Sequence, residues 1–217
     1  MQTYPTWPNL AAMMLSLAQS WPEKPMLRHF RDGAWHGTTW GEFGRMTASC
    51  ARHLRAAGVS AGDRVVICAE NRPDYPIAET ALMAIRAVPV PAYTTNTVDD
   101  HAHILRDCGA RVAIVSSDVL AQRFRAAGEQ AGGLDLLVTM DAPDWAGMLA
   151  DTDPPDDIAQ EASQIPPTAL ACLIYTSGTG GVPKGVMLPH RCILSNCTGA
   201  FELVRPLRLK DETYLSY

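Results

Sequence analysis

The sequence predicts an α/β fold, in which βαβ units build a parallel sheet flanked by helices. Three observations carry that expectation. Short β-branched runs (RVVICA, VPVPAY, RVAIVS and LDLLVT) alternate with stretches of helical apolar spacing between residues 64 and 139. Each run is continuously apolar, as a strand covered on both faces must be. The helical stretches between them are long enough to cross over and return the chain in parallel.

Taken in order, the elements begin with a short amphipathic helix in NLAAMMLSLAQSW, capped by Asn9. MLRHFRDGAWHGTTW reads as a β-hairpin turning at Asp32-Gly33. A helix follows in TWGEFGRMTASCARHLRAAG and stops at Gly58. After the strand RVVICA, a helix over PDYPIAETALMAIRA leads to the strand VPVPAY. Thr97 then opens TVDDHAHILRDCGA, with Asp100 completing a capping box and Gly109 ending the helix. RVAIVS, the helix DVLAQRFRAAGEQAGG and LDLLVT continue the alternation.

Residues 151–167, DTDPPDDIAQEASQIPP, are acidic and proline-rich and read as an exposed connector. TALACLIY reads as a buried strand, GVMLPH as a further strand and RCILSNCTGAFELV as a helix. The expected division is therefore a first α/β subdomain over residues 1–165 and the start of a second over 166–217. The closing DETYLSY reads as the beginning of another buried strand, which suggests truncation at residue 217.

Composition bounds the function. The 217 residues are 47% hydrophobic with net charge −5, which suits a folded core and argues against a nucleic-acid partner. Six cysteines lack C-x-x-C spacing and several sit in apolar runs, so reduced core thiols and a cytoplasmic location are expected. The N-terminal apolar run is too short to span a bilayer. Peripheral contact with the inner membrane stays open, as does a homodimer.

The chemistry concentrates in YTSGTGGVPKG, residues 175–185. Glycines let backbone N–H groups converge on an anion, as in other phosphate nests. Thr176, Ser177 and Thr179 add hydroxyls, and Gly178, Gly180 and Gly181 let the backbone come close. Lys184 supplies a mobile charge behind the stiff Pro183. A Walker A loop is excluded: counting from Gly178, its second glycine falls on Pro183 and its hydroxyl residue on Gly185.

YTSGTGGVPKGVMLPH closely resembles the signature loop of the adenylate-forming (AMP-binding) superfamily, which includes acyl- and aryl-CoA synthetases, luciferases and peptide-synthetase adenylation domains. Gly180 stands where that pattern has threonine, and Pro189 and Cys192 replace its usual threonine and asparagine around His190. ENRP and VPAYTTNT are most similar to the bacterial long-chain fatty-acid-CoA ligase branch. The resemblance implies ATP, Mg²⁺ and CoA, with a fatty acid activated through an acyl-adenylate to its thioester. It also implies that residues 176–184 wrap the β- and γ-phosphates, with Thr176 as a Mg²⁺ ligand and Lys184 neutralising pyrophosphate. The main catalytic lysine is expected beyond residue 217, so these residues alone are expected to be inactive.

Two alternatives remain: an aryl-CoA ligase or peptide-synthetase adenylation domain, and a non-catalytic α/β interaction domain with the glycines as a hinge. Other polar residues have plainer readings. Tyr175 is expected to pack, His190 to sit at a helix entry, and Asn71 and Arg72 to serve structure. His101 and His103 are two apart on a helix and face different sides, so they are no metal pair. Ser177 has no Asp–His partner in its sequence context and is no covalent nucleophile.

Overall fold

The computed structural model describes residues 6–150, 153–176 and 182–204. Helix α1 (Leu10–Ser20) starts where the Asn9 side chain accepts the Ala12 N–H at 2.8 Å. Strands β1 (Pro25–Arg31) and β2 (Ala34–Thr39) form the expected antiparallel hairpin. Asp32 and Gly33 turn it with φ of 51° and 78°, the left-handed pair that a two-residue turn requires. Helix α2 (Trp40–Ala56) opens on a capping box between Thr39 and Glu42.

The central sheet is built from β3 (Arg64–Cys68), β4 (Val88–Pro91), β5 (Val112–Val115) and β6 (Leu136–Thr139), all parallel, in the order β4-β3-β5-β6. Its crossovers are α3 (Asp74–Ala84), α4 (Val98–Cys108) and α5 (Asp118–Ala131). The strand pleat sorts the core into two layers. Val65, Ile67, Val112 and Ile114 join a cluster with Leu15, Phe43, Leu54 and Ile77 from α1, α2 and α3. Val66, Cys68, Ala113 and Val115 face the other way, onto Ile104, Leu105, Leu120 and Phe124 from α4 and α5. Both faces are covered, which is why these strands read as unbroken apolar runs.

Two elements depart from the sequence reading. Helix α6 (Pro143–Leu149) was not expected; its Trp145 is buried and donates to Asp74 at 2.6 Å. Residues 153–165 also hold more than an exposed connector, because α7 (Asp156–Ser163) lies there with Ile158, Ala162 and Ile165 buried. Two of the acidic residues that suggested a solvated strand of chain are in ion pairs. Asp157 and Glu161 each meet an arginine of α2, Arg52 and Arg55, at 2.6 Å. The buried Asn9 side chain donates to the carbonyls of Ala162 and Ile165 at 2.8 and 3.0 Å, fastening α7 to the start of α1.

Beyond α7, β7 (Leu170–Thr176) and β8 (Lys184–Pro189) form an antiparallel pair, and α8 (His190–Val204) follows. Among the described residues the pair is not hydrogen-bonded into the four-stranded sheet, but β7 lies against β4. The DETYLSY segment lies outside the described residues. Among the described residues, no helix is long and apolar enough to cross a membrane.

Candidate functional site

The glycine-and-hydroxyl run leaves one strand and enters its neighbour. Thr176 ends β7, Lys184 begins β8, and the two are cross-strand partners. Behind them Tyr175 pairs with Gly185, and Ile174 with Val186. Burial ends where β7 ends: Ala171, Cys172 and Tyr175 are buried, whereas Thr176 and Lys184 are exposed. The ladder thus carries the hydroxyl and the ammonium-bearing residue to its solvent end, side by side.

Of the residues expected to hold phosphate, the structure brings Thr176 and Lys184 together. Ser177, Gly178, Thr179, Gly180 and Gly181 lie outside the described residues.

The arms next to this mouth are tied to α4. The Tyr175 hydroxyl donates to Asp107 Oδ2 at 2.5 Å, and burial followed by that hydrogen bond raises the phenol pKa, so the donor stays protonated. His103 Nε2 lies 2.9 Å from the Pro183 carbonyl oxygen. A carbonyl only accepts, so this nitrogen carries the proton. The His103 ring stands edge-on to the Tyr175 ring, with centroids 6.2 Å apart. Gly185 makes room for that ring, because a Cβ there would come 3.2 Å from Tyr175 Cζ.

Neither His103 nor Asp107 was singled out for the site by its residue type. Their spacing, one helical turn apart, was a signal only in company with Tyr175 and Pro183. Tyr175 does pack, as expected, but it is also a hydrogen-bond donor.

The remaining candidates resolve into structure. His190 is buried, and its Nδ1 accepts the Leu10 N–H at 3.3 Å, serving a free donor at the start of α1. Burial lowers its pKa to about 4, so it is neutral near pH 7. His101 is buried against Phe124 at a ring separation of 4.2 Å, away from His103. Arg72 joins the ends of β3 and β6 through Asp74 at 2.7 Å and Asp141 at 2.8 Å. At the neighbouring strand ends Ser116 donates a short hydrogen bond to Glu70. Cys50, Cys68 and Cys172 are buried, with thiols raised to about 12, 12 and 11 first by burial, whereas Cys192 is exposed. The six cysteines are free. Among the described residues no group of three His, Cys, Asp or Glu side chains could hold a metal ion.

Comparison with known proteins gives this geometry a context. Residues 16–217 match the model of a family described as AMP-binding enzyme. The long-chain-fatty-acid–CoA ligase FadD15 of Mycobacterium tuberculosis is 30% identical over 223 residues, covering 96% of this chain and 36% of that protein. The 3-hydroxybenzoate–CoA ligase of Aromatoleum is 29% identical over 181 residues, covering 82% and 33%. Among solved structures, a Mycobacterium tuberculosis fatty acyl CoA synthetase superposes with a TM-score of 0.71 at 24% identity, over 88% of this chain and 37% of that one. This chain therefore spans about a third of the length of the relatives it matches.

Proposed function

Given that this chain belongs to the AMP-binding enzyme family, we propose that it is the phosphate-gripping part of an ATP-dependent ligase. The reaction is activation of a carboxylic acid, first of all a long-chain fatty acid, through an acyl-adenylate to the CoA thioester. The observation that carries the reading is the pairing of Thr176 with Lys184 at the exposed end of a hairpin.

A carboxylate is a poor acyl donor because its leaving group is oxide. Its attack on the α-phosphorus of ATP forms an O–P bond and releases pyrophosphate. The thiol of CoA then attacks the acyl carbon, and AMP leaves as a stable anion. What the enzyme must supply is alignment and compensation of phosphate charge. In this reading the Lys184 ammonium sits on the β- and γ-phosphates and follows their charge into pyrophosphate. Backbone N–H groups and hydroxyls of residues 177–181 complete the cradle.

The donor set at Thr176 suits Mg²⁺ only as an ion carried in by the nucleotide, since a single hydroxyl is no site by itself and Mg²⁺ keeps phosphate and water ligands. When bound, the ion would neutralise phosphate oxygens, with the Thr176 oxygen as one ligand.

Support for a long-chain acid comes from ENRP and VPAYTTNT in the sequence and from the 30% identity to a ligase named for that substrate. The aryl-acid reading has its own support in the 29% identity to a 3-hydroxybenzoate ligase. The same proposal places a subdomain boundary near residue 165, after α7, and a cytoplasmic protein with buried thiols. ATP–pyrophosphate exchange by the protein of the full reading frame tests the reaction. Exchange and thioester formation are expected with palmitate. Exchange with 3-hydroxybenzoate alone moves the substrate to the aryl class, and absence of exchange with every acid overturns the ligase.

A further inference from the structure

We propose that His103 and Asp107 are positioning residues: one face of α4 clamps both arms of the phosphate-gripping run and sets where Lys184 stands. The inference rests on the phosphate-grip reading above and adds the part of the protein that shapes the grip.

The geometry is specific to the mouth. Tyr175 immediately precedes Thr176, and Pro183 immediately precedes Lys184. Asp107 accepts the hydroxyl hydrogen bond of the first at 2.5 Å, and His103 donates to the carbonyl of the second at 2.9 Å. Proline has no N–H, so that carbonyl is the only backbone group through which Pro183 can be held by hydrogen bonding. Its partner lies on a different subregion of the fold, not on β7. The β7–β8 ladder ends at the Thr176–Lys184 pair, so the His103 bond extends restraint past the last rung on the Lys184 side.

The helix that makes these contacts is itself firmly placed. A capping box between Thr97 and Asp100 closes its first turn, and Gly109, at φ 67°, closes its last. Arg123 of α5 holds the segment leading into it through the carbonyls of Thr94 and Asn96, at 2.8 and 3.2 Å. His103 and Asp107 are one turn apart, so they present their polar atoms from the same side. Both arms are therefore referenced to a single rigid element. A polyphosphate then meets a cation already in place, and the ordering cost of binding falls.

The consequence is selective. Loss of either bond weakens ATP binding more than acid binding, because only the triphosphate touches the run. The test uses ATP–pyrophosphate exchange by the protein of the full reading frame, with KM for ATP and for the acid measured separately beside thermal unfolding. Tyr175→Phe and His103→Leu are each expected to raise the ATP KM by about threefold to tenfold, the size of one lost hydrogen bond, with the acid KM nearly unchanged. His103→Gln, whose amide N–H reaches the same carbonyl, is expected to recover most of the loss.

Tyr175→Phe keeps the buried ring, so it decides the matter even if His103→Leu fails to fold. Wild-type ATP KM in Tyr175→Phe together with a raised KM in Lys184→Ala overturns the clamp and leaves the phosphate grip standing. Parallel rises in both KM values that follow the loss of thermal stability also overturn it. An unchanged ATP KM in Lys184→Ala removes the grip and the clamp together.

Discussion

Thr176 and Lys184 are cross-strand partners, so the two ends of the glycine-and-hydroxyl run meet at the exposed end of one hairpin. Two paired residues that bear a hydroxyl oxygen and an ammonium group suit an anion that arrives with its own cation. Thr176→Val keeps the β-branched shape that the strand favours and removes only the oxygen. We expect pyrophosphate exchange to survive in this variant with a raised Mg²⁺ requirement, of order tenfold for a lost ligand. Titration of exchange rate against Mg²⁺ checks it; an unaltered requirement removes Thr176 from the metal's surroundings.

Asn9 links two distant parts of the chain. Its side chain caps α1 and donates to two carbonyls at the end of α7, all within a buried site. Asn9→Ala removes the cap and leaves those carbonyls unserved, which should cost about 2–4 kcal/mol. Urea unfolding measures it. A loss below about 0.5 kcal/mol would mean that α7 is held by its arginine pairs and apolar face instead.

The sheet and its helices were legible in the sequence because local and tertiary demands agreed there. Val65, Val66, Ile67 and Cys68 are all buried, so β3 showed as an unbroken apolar run. Thr97, Asp100 and Gly109 mark the ends of α4 by chemistry that works without tertiary context. Helix α7 was hidden because its signal, Ile158, Ala162 and Ile165, lay among prolines and carboxylates. Those carboxylates read as solvated until Arg52 and Arg55 came into view from far along the chain. The same limit applied at the site. Thr176 and Lys184 stood out through the motif, but Asp107 and His103 acquire meaning only when the fold carries Tyr175 and Pro183 to them.

Close packing of α1 on α2 depends on Gly44. A Cβ there would lie 2.8 Å from the Cβ of Ala18, and neither group can rotate away. Gly44→Ala gains about 1 kcal/mol of helix propensity but should lose about 1–3 kcal/mol to overpacking. We expect net destabilisation of roughly 0–2 kcal/mol from these opposing terms. Thermal unfolding beside the exposed-site control Gly199→Ala, where a Cβ meets nothing within 4 Å, separates the two effects. A Gly44→Ala protein stabilised as much as the control contradicts the close approach.

Acid stability should report two buried imidazoles. Burial lowers His101 from its ordinary 6.5 to about 4, helped by Arg123 and opposed by Asp100, and burial does the same to His190. Both pKa values are lower in the fold than in the unfolded chain, so the unfolded chain binds more protons between these values. Stability is therefore full above about pH 6.5 and falls as pH drops towards 4, by roughly 2–4 kcal/mol for each ring. Asp157, held below its ordinary 3.8 first by Arg52, gives way only at lower pH. Glu79, raised above 4.5 by burial, opposes the trend as it takes up a proton in the fold. Neither ring nitrogen of His101 has a hydrogen-bond partner among the described residues. His101→Leu should hence be neutral or stabilising at pH 7 and flatten the loss at pH 5. A variant with the same acid profile as the parent would show that His101 does not titrate across unfolding.

The most direct measurement is a structure of the protein of the full reading frame with a non-hydrolysable ATP analogue. The account expects Lys184 Nζ within about 3–4 Å of a β- or γ-phosphate oxygen, and the Thr176 hydroxyl on the same side of the triphosphate. A nucleotide whose phosphates lie beyond about 10 Å from both residues, outside the reach of a screened charge, would contradict it.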